Sequence, residues 1–202
     1  YLKLLDAAAW NTQCPHFGLL MARQLGAQHF GVAGFIMSQA DSVGSAWLAL
    51  QKFYHCHDSY GVIVDSETDG LHYLRYEIPH YDTPGARQAI DVLAGISINI
   101  HRMLCGARAV PEAFHFPYPK PDDIAPYKAL GCDKVLFQQM GYAMILSVSS
   151  MKLKLNHSDP TMKALVSSYL ATLKNNESAV DTLQVEKLIR GFLPTGKCTV
   201  AY

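Results

Sequence analysis

Residues 110–147 read VPEAFHFPYPKPDDIAPYKALGCDKVLFQQMGYAMILS, and no other stretch limits the fold as much. Two short β-type runs, 113–116 and 134–138, flank a proline-rich crossing that ends in Tyr127 and Gly131. A third run, 142–147, follows at once. A crossing of this kind needs strands to hold its two ends and helices to cover them. The stretch is rich in rings and holds no acid–base dyad and no phosphate loop. Such a stretch suits a shaped cavity better than a reaction centre.

The period of the apolar residues changes along the chain. Leu2, Leu5, Ala8 and Ala9 recur at helical spacing. Pro15 can open a second helix at its first position, running through Phe17, Leu20, Met21 and Leu25 to a cap at Gly26. Gly31 and Gly34 mark a loop. Asp41 or Ser42 caps a third helix, with Val43, Ala46, Trp47, Leu50 and Phe53 or Tyr54 on one face. Val62, Ile63 and Val64 then read as a strand, and Asp69-Gly70 is a hairpin turn into a second strand over 71–78. Leu71, Tyr73 and Arg75 should share one side of it, and His72, Leu74 and Tyr76 the other. Thr83-Pro84 opens a long helix through Ile90, Leu93, Ser97, Ile100 and Leu104, stopped by Gly106. After the crossing, Asp159-Pro160 starts another helix and residues 174–177 form a polar linker before a last one. With helices at both ends and strands between, the class is α+β, a mixed or antiparallel sheet with helices packed around it. Residues 1–174 make one domain and 175–202 an appended helical segment. The opening at Tyr1, already helical, marks the chain as a fragment cut at both ends.

Charge and cysteine usage exclude several classes. Lysine plus arginine equals aspartate plus glutamate at 17 each, so the net charge gives no basic footprint for strong nucleic-acid binding, and only local patches are left open. The five cysteines are widely spaced, with no C-x-x-C, which suits reduced thiols in a cytosol rather than a disulfide framework. No apolar run has the length of a membrane helix.

His55-Cys56-His57-Asp58 places four ligand-type side chains in a row. Neighbours at i and i+2 do not share a helix face, so a polar helix end explains them better than zinc. Asp122-Asp123 follows prolines and reads as a solvated turn, and Gly31-Val32-Ala33-Gly34 is too short for a dinucleotide loop. No nucleophile elbow, metalloprotease or P-loop motif occurs, so no catalytic residue, metal or cofactor is expected. The candidate site is a ring-lined one: Tyr73, Arg75, Tyr76, Phe114, His115, Phe116, Tyr127, Phe137 and Tyr142. For any single one of these rings, an ordinary core position is the favoured reading. Arg75 and His115 could meet an anionic ligand, or Arg75 could lie on the surface.

Five places resemble one family. Cys14-Pro15-His16-Phe17-Gly18-Leu19 is similar to a "D-P-x-F-G-L" opening, with Cys14 where aspartate is usual. Gly44-Ser45-Ala46-Trp47-Leu48-Ala49-Leu50 resembles a "T-L-x-E-A-L" helix without its glutamate. Pro111 to Pro117, then Tyr127, Leu130, Gly131, Val135 and Phe137, resemble a "P-x-x-V-x-F-x-H-x-x-P…Y…F-G-x-P-V-x-F" core, with His115 one step displaced. Leu155 and Asp159-Pro160 resemble an "L-x-x-P-L…D-P" step, and Leu193-Pro194-Thr195-Gly196 an "L-L-P-x-G" exit. Together they resemble the N-terminal effector-binding region of AraC/XylS-type transcriptional regulators. The resemblance implies a sensor that binds a small-molecule effector in a cavity between the strands and the 83–106 helix. It implies DNA as a partner only through a helix-turn-helix beyond residue 202, a possible homodimer, no membrane and no enzymatic activity. A ligand-free dimerisation module and a small-molecule enzyme are the alternatives.

Overall fold

The computed structural model describes residues 1–58, 61–77, 83, 85–106, 110–155, 161 and 164. Its centre is a five-stranded sheet in the order β1-β2-β5-β3-β4. Strands β1 (Val62–Thr68) and β2 (Leu71–Glu77) form the expected hairpin. Asp69 and Gly70 both take positive φ, 54° and 74°, as a two-residue turn matched to strand twist requires. β2 pairs antiparallel with β5 (Ala143–Ser147), and β5 with β3 (Ala113–His115). β4 (Val135–Leu136) runs parallel to β3, which makes the sheet mixed. These last strands are shorter than expected from the sequence, yet their backbone bonds run on. Phe116 N–H donates to Leu136 O at 2.8 Å and Gln138 N–H to Tyr118 O at 3.0 Å.

Register decides which side chains share a face. Pairing of Ile63 with Tyr76, Leu74 with Met144 and Met144 with Phe114 puts these on one side, together with His72 and Leu146. Tyr73, Arg75, Ala113, His115, Ala143 and Ile145 point to the other. The split of β2 between Leu71, Tyr73, Arg75 and His72, Leu74, Tyr76 is as expected.

Helices α1 (Leu2–Asn11), α2 (Phe17–Ala22), α3 (Gly31–Ser38) and α4 (Val43–Phe53) precede the sheet. Ser42 caps α4: its hydroxyl accepts from Ser45 N–H at 3.2 Å while Ser42 N–H donates to Ser45 Oγ at 2.9 Å. The expected loop at Gly31 and Gly34 is instead α3. A Cβ at Gly34 would collide with the Ala27 carbonyl oxygen, so glycine there lets the helix close on the preceding turn. Pro15 stands before the cap of α2 rather than inside it, and the helix ends at Ala22, so Leu25 lies outside. Short helices α6 (Ala125–Lys128), within the crossing, and α7 (Val148–Met151) complete the described elements.

The long helix α5 (Ala86–Cys105) is the axis of the molecule. It starts at a Gly85 cap rather than at Thr83-Pro84, and Gly106 ends it with φ 58°. Gln88, 5% exposed, accepts from Gly18 N–H at 2.8 Å and donates to Pro15 O at 2.9 Å, tying the start of α2. Asn99 donates to Ala22 O and Leu25 O, each at 2.8 Å, and ties its end. The physical role of the Pro15–Gly18 motif is thus to offer one carbonyl and one amide to a single glutamine. The expected helix at Asp159-Pro160, the linker 174–177 and the last helix lie outside the described residues, apart from helical Thr161 and Ala164.

Candidate functional site

α5 meets the inner sheet face in two places. Toward its start is a packed ring cluster. Phe116, with no exposure, is its hub. Its ring lies 5.2 Å from Tyr127, 5.5 Å from Phe137, 5.5 Å from Tyr118, 6.1 Å from Tyr142 and 6.3 Å from Phe114. These edge-on and offset geometries suit the ring quadrupoles. Asp91 of α5 is fully buried beside them. Tyr118 donates a very short hydrogen bond to its Oδ1, and Tyr127 donates to Oδ2 at 3.1 Å. Arg87, one turn earlier, donates from Nη2 to the Tyr127 hydroxyl at 3.3 Å and lies 5.3 Å over the Tyr118 ring. Burial pushes the Asp91 carboxyl up to about 7, against the pull of the Tyr118 hydroxyl, the Arg87 charge and the Tyr127 hydroxyl. Burial likewise raises Tyr127 to about 12, with the Asp91 charge adding to it.

Further along α5, Leu93, Ile96, Ser97 and Ile100 face a hollow closed by Phe30, Trp47, Leu50, Tyr54, Ile63, Leu74, Tyr76 and Tyr142. Its volume is about 30 Å³, room for a water molecule or two and far below a typical metabolite site. The open cavity expected here is therefore largely filled, because Phe114, Phe116, Tyr127 and Phe137 pack against one another. The wall is aromatic: Tyr54 meets Phe30 at 5.8 Å and Tyr76 edge-on at 5.4 Å. Tyr76 donates a very short hydrogen bond to Asp58, and burial raises both Tyr54 and Tyr76 well above the usual phenol range. Among the described residues, no acceptor reaches the buried indole nitrogen of Trp47 in this wall. Half-buried Ile63, Leu93, Ile96 and Ser97 form the outer side of the hollow.

The structure thus separates the nine sequence candidates. Tyr76 and Tyr142 border the hollow, and so does Arg75, although its guanidinium lies 5.8 Å over the Tyr73 ring on the other sheet face. Phe114, Phe116, Tyr127 and Phe137 belong to the packed cluster. Tyr73 and His115 lie on the opposite face, 6.1 Å apart, where burial and then the Arg75 charge lower the His115 pKa. Trp47, Asp91 and Arg87 were missed. The 87/91 spacing reads as a surface ion pair on an exposed helix face, and nothing in the sequence says that face is buried.

The His55–Asp58 row disperses. His55 Nδ1 bonds the Lys52 carbonyl at 2.9 Å, His57 stacks edge-on against Phe30, and Asp58 holds Tyr76. Among the described residues no group of three ligand-type side chains could hold a metal ion, and no helix is long and apolar enough to cross a membrane. A wider recess of about 420 Å³ lies between α2, α5 and α6, and two of its polar side chains are tied to backbone carbonyls. Asn99 bonds the end of α2, and Arg102 donates to Leu130 O at 2.8 Å.

Comparison with known proteins places this fold. Residues 1–155 match the model of the arabinose-binding domain of AraC transcription regulators, the N-terminal one. The chain is 26% identical over 202 residues to the HTH-type transcriptional regulator VirS of Mycobacterium tuberculosis, in two strains, covering 98% of this chain and 59% of that protein. The crystal structure of transcriptional regulator CdpR from Pseudomonas aeruginosa shares the fold, with a TM-score of 0.62 at 16% identity, over 92% of this chain and 60% of that one. The chain therefore spans about three fifths of the length of these relatives. The family is regulatory rather than catalytic. The matched length and the shared α+β architecture together establish that this chain belongs to the family of N-terminal arabinose-binding domains of AraC transcription regulators.

Proposed function

We propose that this domain senses a small metabolite at the hollow between α5 and the inner sheet face, and passes the signal to a DNA-reading segment beyond residue 202. The observation that carries the site is the buried Trp47 N–H without an acceptor among the described residues, in a wall made mostly of apolar and tyrosine side chains, with Ser97 and Arg75 at its border. A buried donor left unmade costs about 1–3 kcal/mol, and a ligand that accepts from it recovers that cost. The role rests on the family match and on VirS being an HTH-type regulator whose length exceeds this chain's. Residues 1–174 are the sensing unit in this reading, and segment 177–193, outside the described residues and expected from sequence to be helical, is the coupling element. The setting is cytoplasmic, and a homodimer would match paired DNA half-sites.

An effector can act only by preferring one of two arrangements of the protein. Calorimetry on the full-length regulator, with and without a DNA fragment selected by that protein, tests this. The effector's affinity changes when DNA is bound; an unchanged affinity sinks the coupling. A thermal-shift screen over amino acids, amines and fatty acids finds the effector, since a ligand at a hundred times its Kd adds roughly 2.7 kcal/mol. The small volume of the hollow favours one other reading, a dimerisation module with no ligand. Such a module stays silent in the screen and sediments as a dimer.

A further inference from the structure

The chemistry of the hollow says what class of molecule it takes, given the sensing role above. Its walls hold rings and aliphatic side chains from α4, α5, β1 and β2, with Phe30, Tyr54 and Tyr142 from the adjoining turns. Among the described residues no carboxylate lines it, since Asp58 bonds Tyr76 and Asp91 bonds Tyr118 and Tyr127 in the neighbouring cluster. The one cation of the lining, Arg75, lies over the Tyr73 ring, on the far face of the sheet. A charged ligand entering here would lose its hydration with no counter-ion, and each hydroxyl of a sugar would need a buried partner. The unsatisfied group offered is a donor, the Trp47 N–H, with Trp47 only 4% exposed.

We infer that the hollow between α5, α4 and the sheet binds an uncharged, mostly apolar molecule whose single hydrogen-bond acceptor takes the Trp47 indole N–H, and that it does not bind a pentose. The enclosed space of about 30 Å³ fits the acceptor group alone. The apolar body extends past the half-buried Ile63, Leu93 and Ile96. The domain would then keep the fold of its family while answering a ligand unlike the sugar in the family's description.

Two tryptophans make this directly readable, because Trp10 is 84% exposed and Trp47 buried. In ¹⁵N-labelled protein each gives one indole N–H resonance, and Trp10→Phe assigns them. Acetophenone, ethylbenzene, L-arabinose and benzoate are titrated in turn. The expected result is a downfield shift of the Trp47 resonance with acetophenone alone. Ethylbenzene, the same shape without the acceptor, should bind about tenfold more weakly, the worth of one hydrogen bond. Trp47→Phe should remove that preference. If L-arabinose or benzoate moves the Trp47 resonance, the ligand class is wrong while the sensing role stands. If acetophenone leaves Trp47 unmoved, the inference fails, and the metabolite screen then decides separately whether the domain senses anything. If Trp47→Phe keeps the tenfold preference, the donor is misassigned and the inference fails.

Discussion

α5 presses on the same sheet face at two places, and they are built to opposite rules. Around Phe116 every ring has a ring beside it, and the carboxylate of Asp91 receives two hydroxyls. Around Trp47 the walls stop short of filling the space, and a donor is left over. The first region spends burial on a single arrangement. The second withholds it, at some cost in stability, and unfilled, unsatisfied interiors are where proteins accept ligands. Packed support and the proposed receiving hollow therefore sit on one helix, α5.

The contrast can be broken by substitution. Phe116→Ala should cost about 3–5 kcal/mol, since the hub of a close-packed cluster leaves a void its neighbours cannot fill. Urea unfolding would show it, and a loss below about 2 kcal/mol would mean the cluster is not the rigid partner described. Next comes pH. The folded pKa of Asp91 lies above the ordinary carboxylate value, so between about 4 and about 7 the folded chain holds a proton that the unfolded chain has released. Its contribution to stability is complete below that window and is lost as pH rises through about 7. Melting temperature should fall across the window, and Asp91→Asn should flatten the fall. An equally steep fall in the variant would assign it to other groups. Tyr127→Phe should cost about 1–3 kcal/mol, because Asp91 loses a donor and Arg87 an acceptor. It should also shift the pH window upward. The smallest effect belongs to the other region. Trp47→Phe should cost about 1 kcal/mol, as the lost volume is offset by removal of an unsatisfied donor. A cost as large as that of Phe116→Ala would erase the distinction between the two regions.

The sequence displayed the scaffold better than the site, for physical reasons. The Asp69-Gly70 turn, the Ser42 cap and the alternation of Leu71 to Tyr76 are local signals, and each appears in the structure where it was read. The α3 helix was hidden because Gly31 and Gly34 argue against a helix, although Ala33, Ile36 and Met37 already had helical spacing. Close packing onto Ala27, in the turn that leads into the helix, decided the matter, and the spacing of apolar residues does not show that. Of the nine ring and charge candidates, Tyr76 and Tyr142 reach the hollow because β2 and β5 turn them inward. Tyr73 and His115 face away because they hold the opposite register. Trp47 reads in sequence only as one apolar residue of an amphipathic helix. That its nitrogen would lack a partner depends on what the elements packed around it fail to bring near it.

Because Gln88 and Asn99 grip both ends of α2, Asp91 fastens to the crossing, and Leu93 and Ile96 border the hollow, α5 behaves as a common shaft. A molecule wedging against its hollow-facing side cannot move that side alone. Any tilt would strain the tyrosine bonds at Asp91 and carry the N-terminal helices along. A local occupancy would in this way become a displacement of the whole helical layer against the sheet.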